Sequence, residues 1–130
     1  RSENIDKLKK LYKKKIILID RFTDSTLAYQ HYGFGVDIKL IKLINDFILK
    51  DFKIDYTFLN IVNKNNMIKR LKIRKSLNRY DKFKNNFYQK VQRGYLQISK
   101  KNKLKYQVIN SNLDIEYNKK EIIKSIDRLL

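Results

Sequence analysis

Residues 16–30 read IILIDRFTDSTLAYQ. The first four are apolar, and three of them are β-branched, the composition of a short strand covered on both faces in a parallel sheet. An acid and an arginine follow at once, and no folding rule asks for that pair at the end of a buried strand. In open α/β sheets ligands bind beyond the carboxyl ends of the strands, which is where Asp20 and Arg21 stand. The Arg21 guanidinium offers a planar fork of donors that matches phosphate. The carboxylate beside it can orient the fork, accept from a hydroxyl or hold a metal-bound water. An Asp capping the next helix and an Arg in a surface ion pair would explain the same two residues. Local chemistry does not choose between these readings.

Working outward, hydrophobic period assigns the rest of the chain, because Pro is absent and Gly occurs only at 33, 35 and 94. Ile5, Leu8 and Leu11 predict a helix before the first strand. Leu40, Leu43, Ile44, Phe47 and Ile48 form one stripe, which predicts a helix over Val36–Phe52. YTFLNIV, Tyr56–Val62, predicts a second strand, and NMIKRLKIRKS after it a basic helix. Phe83, Phe87 and Val91 step by four into a long helix that reaches Tyr95 and Ile98. Tyr106–Ile109 predicts a third strand, and KKEIIKSIDRLL closes the chain as a helix with Ile122, Ile123, Ile126, Leu129 and Leu130 on one face. The order αβαβααβα implies right-handed crossovers and a mainly parallel sheet between helices, an α/β fold. Three strands are few for such a sheet, so further strands are expected to be missing from these residues. No internal repeat, linker or low-complexity block is visible.

Composition bounds the function. At 130 residues and 15.8 kDa the chain suits one domain, and 42% apolar with 12% aromatic residues is enough to build a core despite 34% charged residues. The net charge of +18 attracts polyanions, which keeps a small basic nucleic-acid-binding protein in view. The lysines are nevertheless spread along the chain among many Ile and Asn, a bias that AT-rich coding also produces. Without Cys there is no disulfide framework and no thiolate metal site. His31 is the only histidine, and one ring without a second ligand reads as incidental. No apolar run approaches the roughly 20 residues that span a bilayer, and RSENIDKLKK lacks the apolar core of a signal peptide. A cytoplasmic protein with no membrane partner is expected. The first residue is Arg rather than Met, which suggests a truncated or processed N-terminus.

DRFTDSTLAYQHYGFGVD resembles the motif of bacterial thymidylate kinases, in which an Asp-Arg-aromatic triplet ends a strand and Ser, Ala-Tyr-Gln and a Gly-containing turn follow. The resemblance continues: YTFLNIV is similar to the family's next strand, KRLKIRKSLNRYDKF to its Arg-rich lid, and FYQKVQRGYLQIS to the helix after it. The spacing is colinear over nearly all 130 residues. The resemblance implies a P-loop kinase-like three-layer α/β fold that transfers the γ-phosphoryl group of ATP to dTMP with Mg²⁺, as a homodimer formed through the Val36–Phe52 helix. It implies Asp20 near the phosphates, with an indirect, water-mediated role at the metal, and Arg21 on the thymidylate phosphate. Arg1 would contact the base, Thr26 the thymine ring, Tyr29 the deoxyribose, and Gln30 a neighbouring pocket position. Arg70, Arg74 and Arg79 would act from a lid over about residues 67–80.

That lid also has a physical argument. Phosphoryl transfer needs positive charge brought to the transferring group and water kept out, and a basic helix that closes over the triphosphate does both. Arg70 and Arg74 are spaced i, i+4 and would share a helical face. In a chain with 31 Lys and Arg, a solvated basic face would give the same pattern. Some positions depart from the family: Phe34 stands where Arg is common, Asn78 and Asp81 replace Asp and Glu around Arg79, and Asn110 stands where an Asp commonly ends the last strand. No G-x-x-x-x-G-K-[ST] phosphate loop occurs, so the chain resembles the C-terminal two-thirds of the kinase and is expected to be inactive alone. Another nucleoside or nucleotide kinase is the alternative within the same chemistry.

Overall fold

The computed structural model describes residues 2–12, 14–50, 52–74 and 85–130. Its helices are α1 (Ser2–Leu11), α2 (Thr23–Thr26), α3 (Ile38–Leu49), α4 (Lys64–Ile73), α5 (Asn85–Lys101) and α6 (Ile115–Leu129). Leu27–Gly33 continues α2 as a π-helix, and Lys103–Lys105 forms a short 3₁₀ turn. The strands β1 (Thr57–Ile61) and β2 (Tyr106–Asn110) pair in parallel, with Thr57 opposite Tyr106 and Ile61 opposite Asn110.

Capping follows the sequence closely. Asp37 accepts from the Lys39 amide to start α3, Asn63 accepts from Asn66 to start α4, and Asp114 accepts from Glu116 and Tyr117 to start α6. Each cap satisfies amides that the first helical turn leaves without partners.

The centre of the molecule lies where the π-helical segment meets α5. Ala28, Val91 and Ile98 are buried together, with Leu27, Tyr29, Tyr32, Phe87, Tyr95 and Tyr106 around them. Two glycines permit this approach. A Cβ on Gly94 would lie 2.5 Å from the Tyr32 ring, and one on Gly33 would lie 2.7 Å from the Phe87 ring. The two elements therefore interlock, each offering a glycine to an aromatic ring of the other. Ile109 of β2 and Leu59 of β1 are buried within the sheet, which α5 also contacts.

Two expectations need correction, the first strand and the number of strands. Ile16–Ile19 forms no strand, and the sheet among the described residues has two strands rather than three. A strand persists only where a neighbour pairs its amides and carbonyls, and this run is uncovered as well as unpaired, with Leu18 85% exposed. The segment after it, for which periodicity predicted nothing, is helical from Thr23 to Gly33. Finally, the stripe Leu40, Leu43, Ile44 and Phe47 of α3 faces outward, with Leu43 68% and Phe47 74% exposed, while Ile41 on the other side is buried. The predicted helix forms, and its apolar stripe is exposed on this chain. No helix among the described residues is long and apolar enough to cross a membrane.

Candidate functional site

Arg21 occupies an unusual backbone position. Its φ of +58° lies in the left-handed region, which costs a side-chain-bearing residue about 1–2 kcal/mol. Such strain persists where the surroundings over-determine it, and it clusters at binding sites. The turn it creates separates Ile16–Ile19 from α2 and brings the Arg21 guanidinium over the Tyr29 ring, 5.7 Å from the centroid. Cation and ring thus support each other beside an exposed Asp20.

Thr26, Tyr29 and Gln30 lie on the adjoining turns and are all half-buried. Tyr29 meets Phe87 and Tyr95 edge-on, with centroids 5.9 and 6.5 Å apart. The Thr26 hydroxyl oxygen is enclosed without a hydrogen-bond partner, a cost that a polar ligand group reaching it would remove. A π-helix is rare beyond a single turn and concentrates at functional sites. Here it runs through LAYQHYG, and the Phe34 amide donates to the Tyr29 carbonyl to close it. His31 has a structural role: its Nδ1 lies 2.9 Å from the Val36 carbonyl and its ring abuts Tyr32. No group of three or more His, Cys, Asp or Glu side chains that could hold a metal occurs among the described residues.

Four residues at this site, three of them within the quoted motifs, take on contacts that their sequence positions do not reveal. The Tyr106 hydroxyl donates to the Asp24 carboxylate, and the Tyr95 hydroxyl donates to Ser25 Oγ at 2.6 Å. Burial pushes the Asp24 carboxyl up, partly offset by the Tyr106 hydrogen bond. Burial also raises Tyr106 and Tyr95, and Asp24 adds to the rise at Tyr106. Asp24 and Tyr106 lie 82 positions apart, so only the folded chain pairs them.

The surroundings of Arg70 and Arg74 are built differently. Arg70 and Arg74 line an open groove of about 290 Å³ with Val62, Met67 and Leu71 at the carboxyl end of β1. The shared helical face expected for the two arginines does not form, because α4 ends at Ile73 and Arg74 is extended. They meet at the groove all the same. Arg70 donates to the Ser111 carbonyl at 2.6 Å, which ties α4 to the turn after β2. Asn112 reinforces that tie, its Oδ1 accepting from the Asn63 amide and from Asn66 Nδ2, both at 3.0 Å. Asn110, in place of the expected Asp, accepts from the Asn112 amide and side chain and so shapes the turn. Arg1, Arg79 and the rest of the expected lid beyond Arg74 lie outside the described residues.

The parallel strand pair packed against helices agrees with the P-loop kinase-like α/β fold of the solved structure this chain superposes on. The chain belongs to the thymidylate kinase family, whose model matches residues 1–122. The thymidylate kinase of Mycoplasma capricolum is 37% identical over 130 residues, covering 97% of this chain and 61% of the relative. That of Ehrlichia chaffeensis is 38% identical over 120 residues, covering 88% and 57%. The crystal structure of thymidylate kinase from Ehrlichia chaffeensis superposes with a TM-score of 0.71 at 32% identity, over 96% of this chain and 60% of that one. The chain spans about three fifths of the length of these relatives.

Proposed function

We propose that these residues form the monophosphate-binding and lid part of an enzyme that transfers the γ-phosphoryl group of ATP to dTMP. The observation that carries the reading is the colinear family match over residues 1–122. The placement of Arg21 over Tyr29 supports it. In this reading Arg21 grips the dTMP phosphate, Tyr29 lies beneath the deoxyribose, Thr26 and Arg1 meet the base, and Gln30 occupies a neighbouring pocket position. Arg70, Arg74 and Arg79 bring positive charge to the transferring group when the lid closes and water leaves.

Mg²⁺ fits this chemistry, because it is held largely by substrate phosphates and water and asks for only one or two carboxylates. Asp20 would meet it through a bound water. The ion would offset charge on the phosphate oxygens, while the chain's own arginines bind and orient the phosphoryl acceptor. The enzyme would act in the cytoplasm, and the outward apolar stripe of α3 supports a homodimer through that helix.

Calorimetry with dTMP at two salt concentrations tests the substrate reading. Binding held by one or two arginines should weaken little with salt, whereas polyanion binding collapses steeply. No dTMP binding, together with steeply salt-dependent binding of an oligonucleotide, would favour the nucleic-acid alternative.

A further inference from the structure

Two adjacent residues of the substrate segment are held from outside by tyrosines on different elements. Tyr106 opens β2 and donates to Asp24, while Tyr95 comes from α5 and donates to Ser25. Thr57 stands opposite Tyr106 in the ladder, so the Tyr106 end of the link is anchored beside the other strand. One hydrogen bond to a short helix fixes its distance from a neighbour but leaves it free to turn about its axis. A second bond from another direction removes that freedom. In an α-helix each residue is about 100° of rotation, so a small turn of α2 carries every later side chain off its target.

We propose that Asp24 and Tyr106 are positioning residues, which lock the rotation of α2 and so aim Thr26, Tyr29 and Gln30 at the nucleoside. The inference rests on the reading of those three residues as dTMP contacts. Three features favour it. Asp24 lies three residues after the strained Arg21 and two before Thr26, so the lock sits between the phosphate grip and the base contacts. The pair is half-buried, so water substitutes poorly for the Tyr106 donor. The link also reaches β2, an element apart from α2, whereas Tyr95 shares α5 with Phe87, which packs on the segment.

Tyr106→Phe removes the donor and keeps the ring. Asp24→Asn keeps an acceptor for the same donor. In the full chain, Tyr106→Phe should weaken dTMP binding about tenfold by calorimetry, while Asp24→Asn should stay within about threefold of wild type. Independently of any ligand, Tyr106→Phe should raise amide hydrogen exchange across residues 23–33 about tenfold and leave α6 unchanged. Exchange in 23–33 that matches wild type, or that rises equally in α6, would overturn the lock. So would Asp24→Asn and Tyr106→Phe losing dTMP affinity equally. If wild type itself fails to bind dTMP, the substrate reading falls, and the exchange measurement still decides whether the lock exists. Should Tyr106→Phe fail to fold, local exchange in Asp24→Ala decides the same question.

Discussion

The segment that carries Arg21 and the helix that carries Arg70 offer the same kind of cation on opposite kinds of support. Around Arg21 the contacts are buried or half-buried: a ring stack on Tyr29, interlocked glycines at 33 and 94, and tyrosine hydroxyls on Asp24 and Ser25. Around Arg70 they are exposed amides and carbonyls at Ser111, Asn112, Asn63 and Asn66. Buried contacts are costly to break and hold one geometry, whereas exposed hydrogen bonds exchange with water at little net cost. If the proposed roles hold, the comparison implies a division of labour: the Arg21 side is preorganised, and the Arg70 side is tied only lightly, as a closing lid requires.

The strongest way to break this comparison is at Arg21. In the intact dTMP kinase proposed above, Arg21→Ala should lower kcat/KM for dTMP by about a hundredfold, equivalent to roughly 2.7 kcal/mol, because a charge-assisted contact to phosphate is lost. Arg21→Lys should recover only part, since an ammonium cannot reproduce the fork or its stacking. Steady-state kinetics that are alike for the three proteins would remove Arg21 from the site.

The interlock can be tested without substrate. Gly94→Ala places a methyl group 2.5 Å from the Tyr32 ring. Overpacking of this kind costs about 1–3 kcal/mol, against up to about 1 kcal/mol gained from helix propensity. Net destabilisation is expected in urea unfolding, together with weaker dTMP binding, because the ring that must shift belongs to the substrate segment. An unchanged midpoint would show that α5 and the segment are not closely interlocked.

What could be read from the sequence divides along the same line. Leu59, Val91 and Ile109 sit at positions whose period announced strands and a helix, and they are buried where that period requires. Ile16–Ile19 looked equally strand-like, but pairing is a property of two segments, and the partner cannot be read from one. The α3 stripe shows the complementary limit: period reveals that a face is apolar, not whether this chain covers it. At the site, Arg21 and Tyr29 could be named from a local motif. Asp24 and Tyr106 could not, because an isolated Asp and an isolated Tyr at distant positions have no spacing to betray them. Gly94 was visible as a motif residue, yet its reason, the Tyr32 ring, exists only in three dimensions.

In the proposed intact kinase, Arg70→Ala with Arg74→Ala should reduce kcat on the order of tenfold while dTMP affinity stays within about twofold, since in that reading these charges act when the lid has closed on the transferring group. The measurement pairs steady-state rates with calorimetric dTMP binding. Loss of affinity at unchanged kcat would place both arginines on the substrate instead, and the two regions would no longer differ in role.

The smallest effect sharpens the contrast by pH. Burial raises the Asp24 carboxyl above its ordinary value, even though the Tyr106 hydrogen bond pulls the other way. A carboxyl raised in the folded state contributes stability that is complete below its unfolded pKa of about 3.9 and fades as pH climbs through the folded value. Asp24→Asn never ionises and keeps an acceptor for Tyr106, so it escapes that loss. The difference in urea stability between Asp24→Asn and wild type should therefore shift in favour of the variant between about pH 4 and pH 7. Arg70 and Asn112 involve no carboxyl, so Asn112→Ala should show a difference from wild type that is flat over the same range. A shift toward wild type with rising pH would mean that the tyrosine's hydrogen bond outweighs burial. The Asp24 link would then be strengthened by charge, and the preorganised side would owe its rigidity to an ionic contact rather than to enclosure.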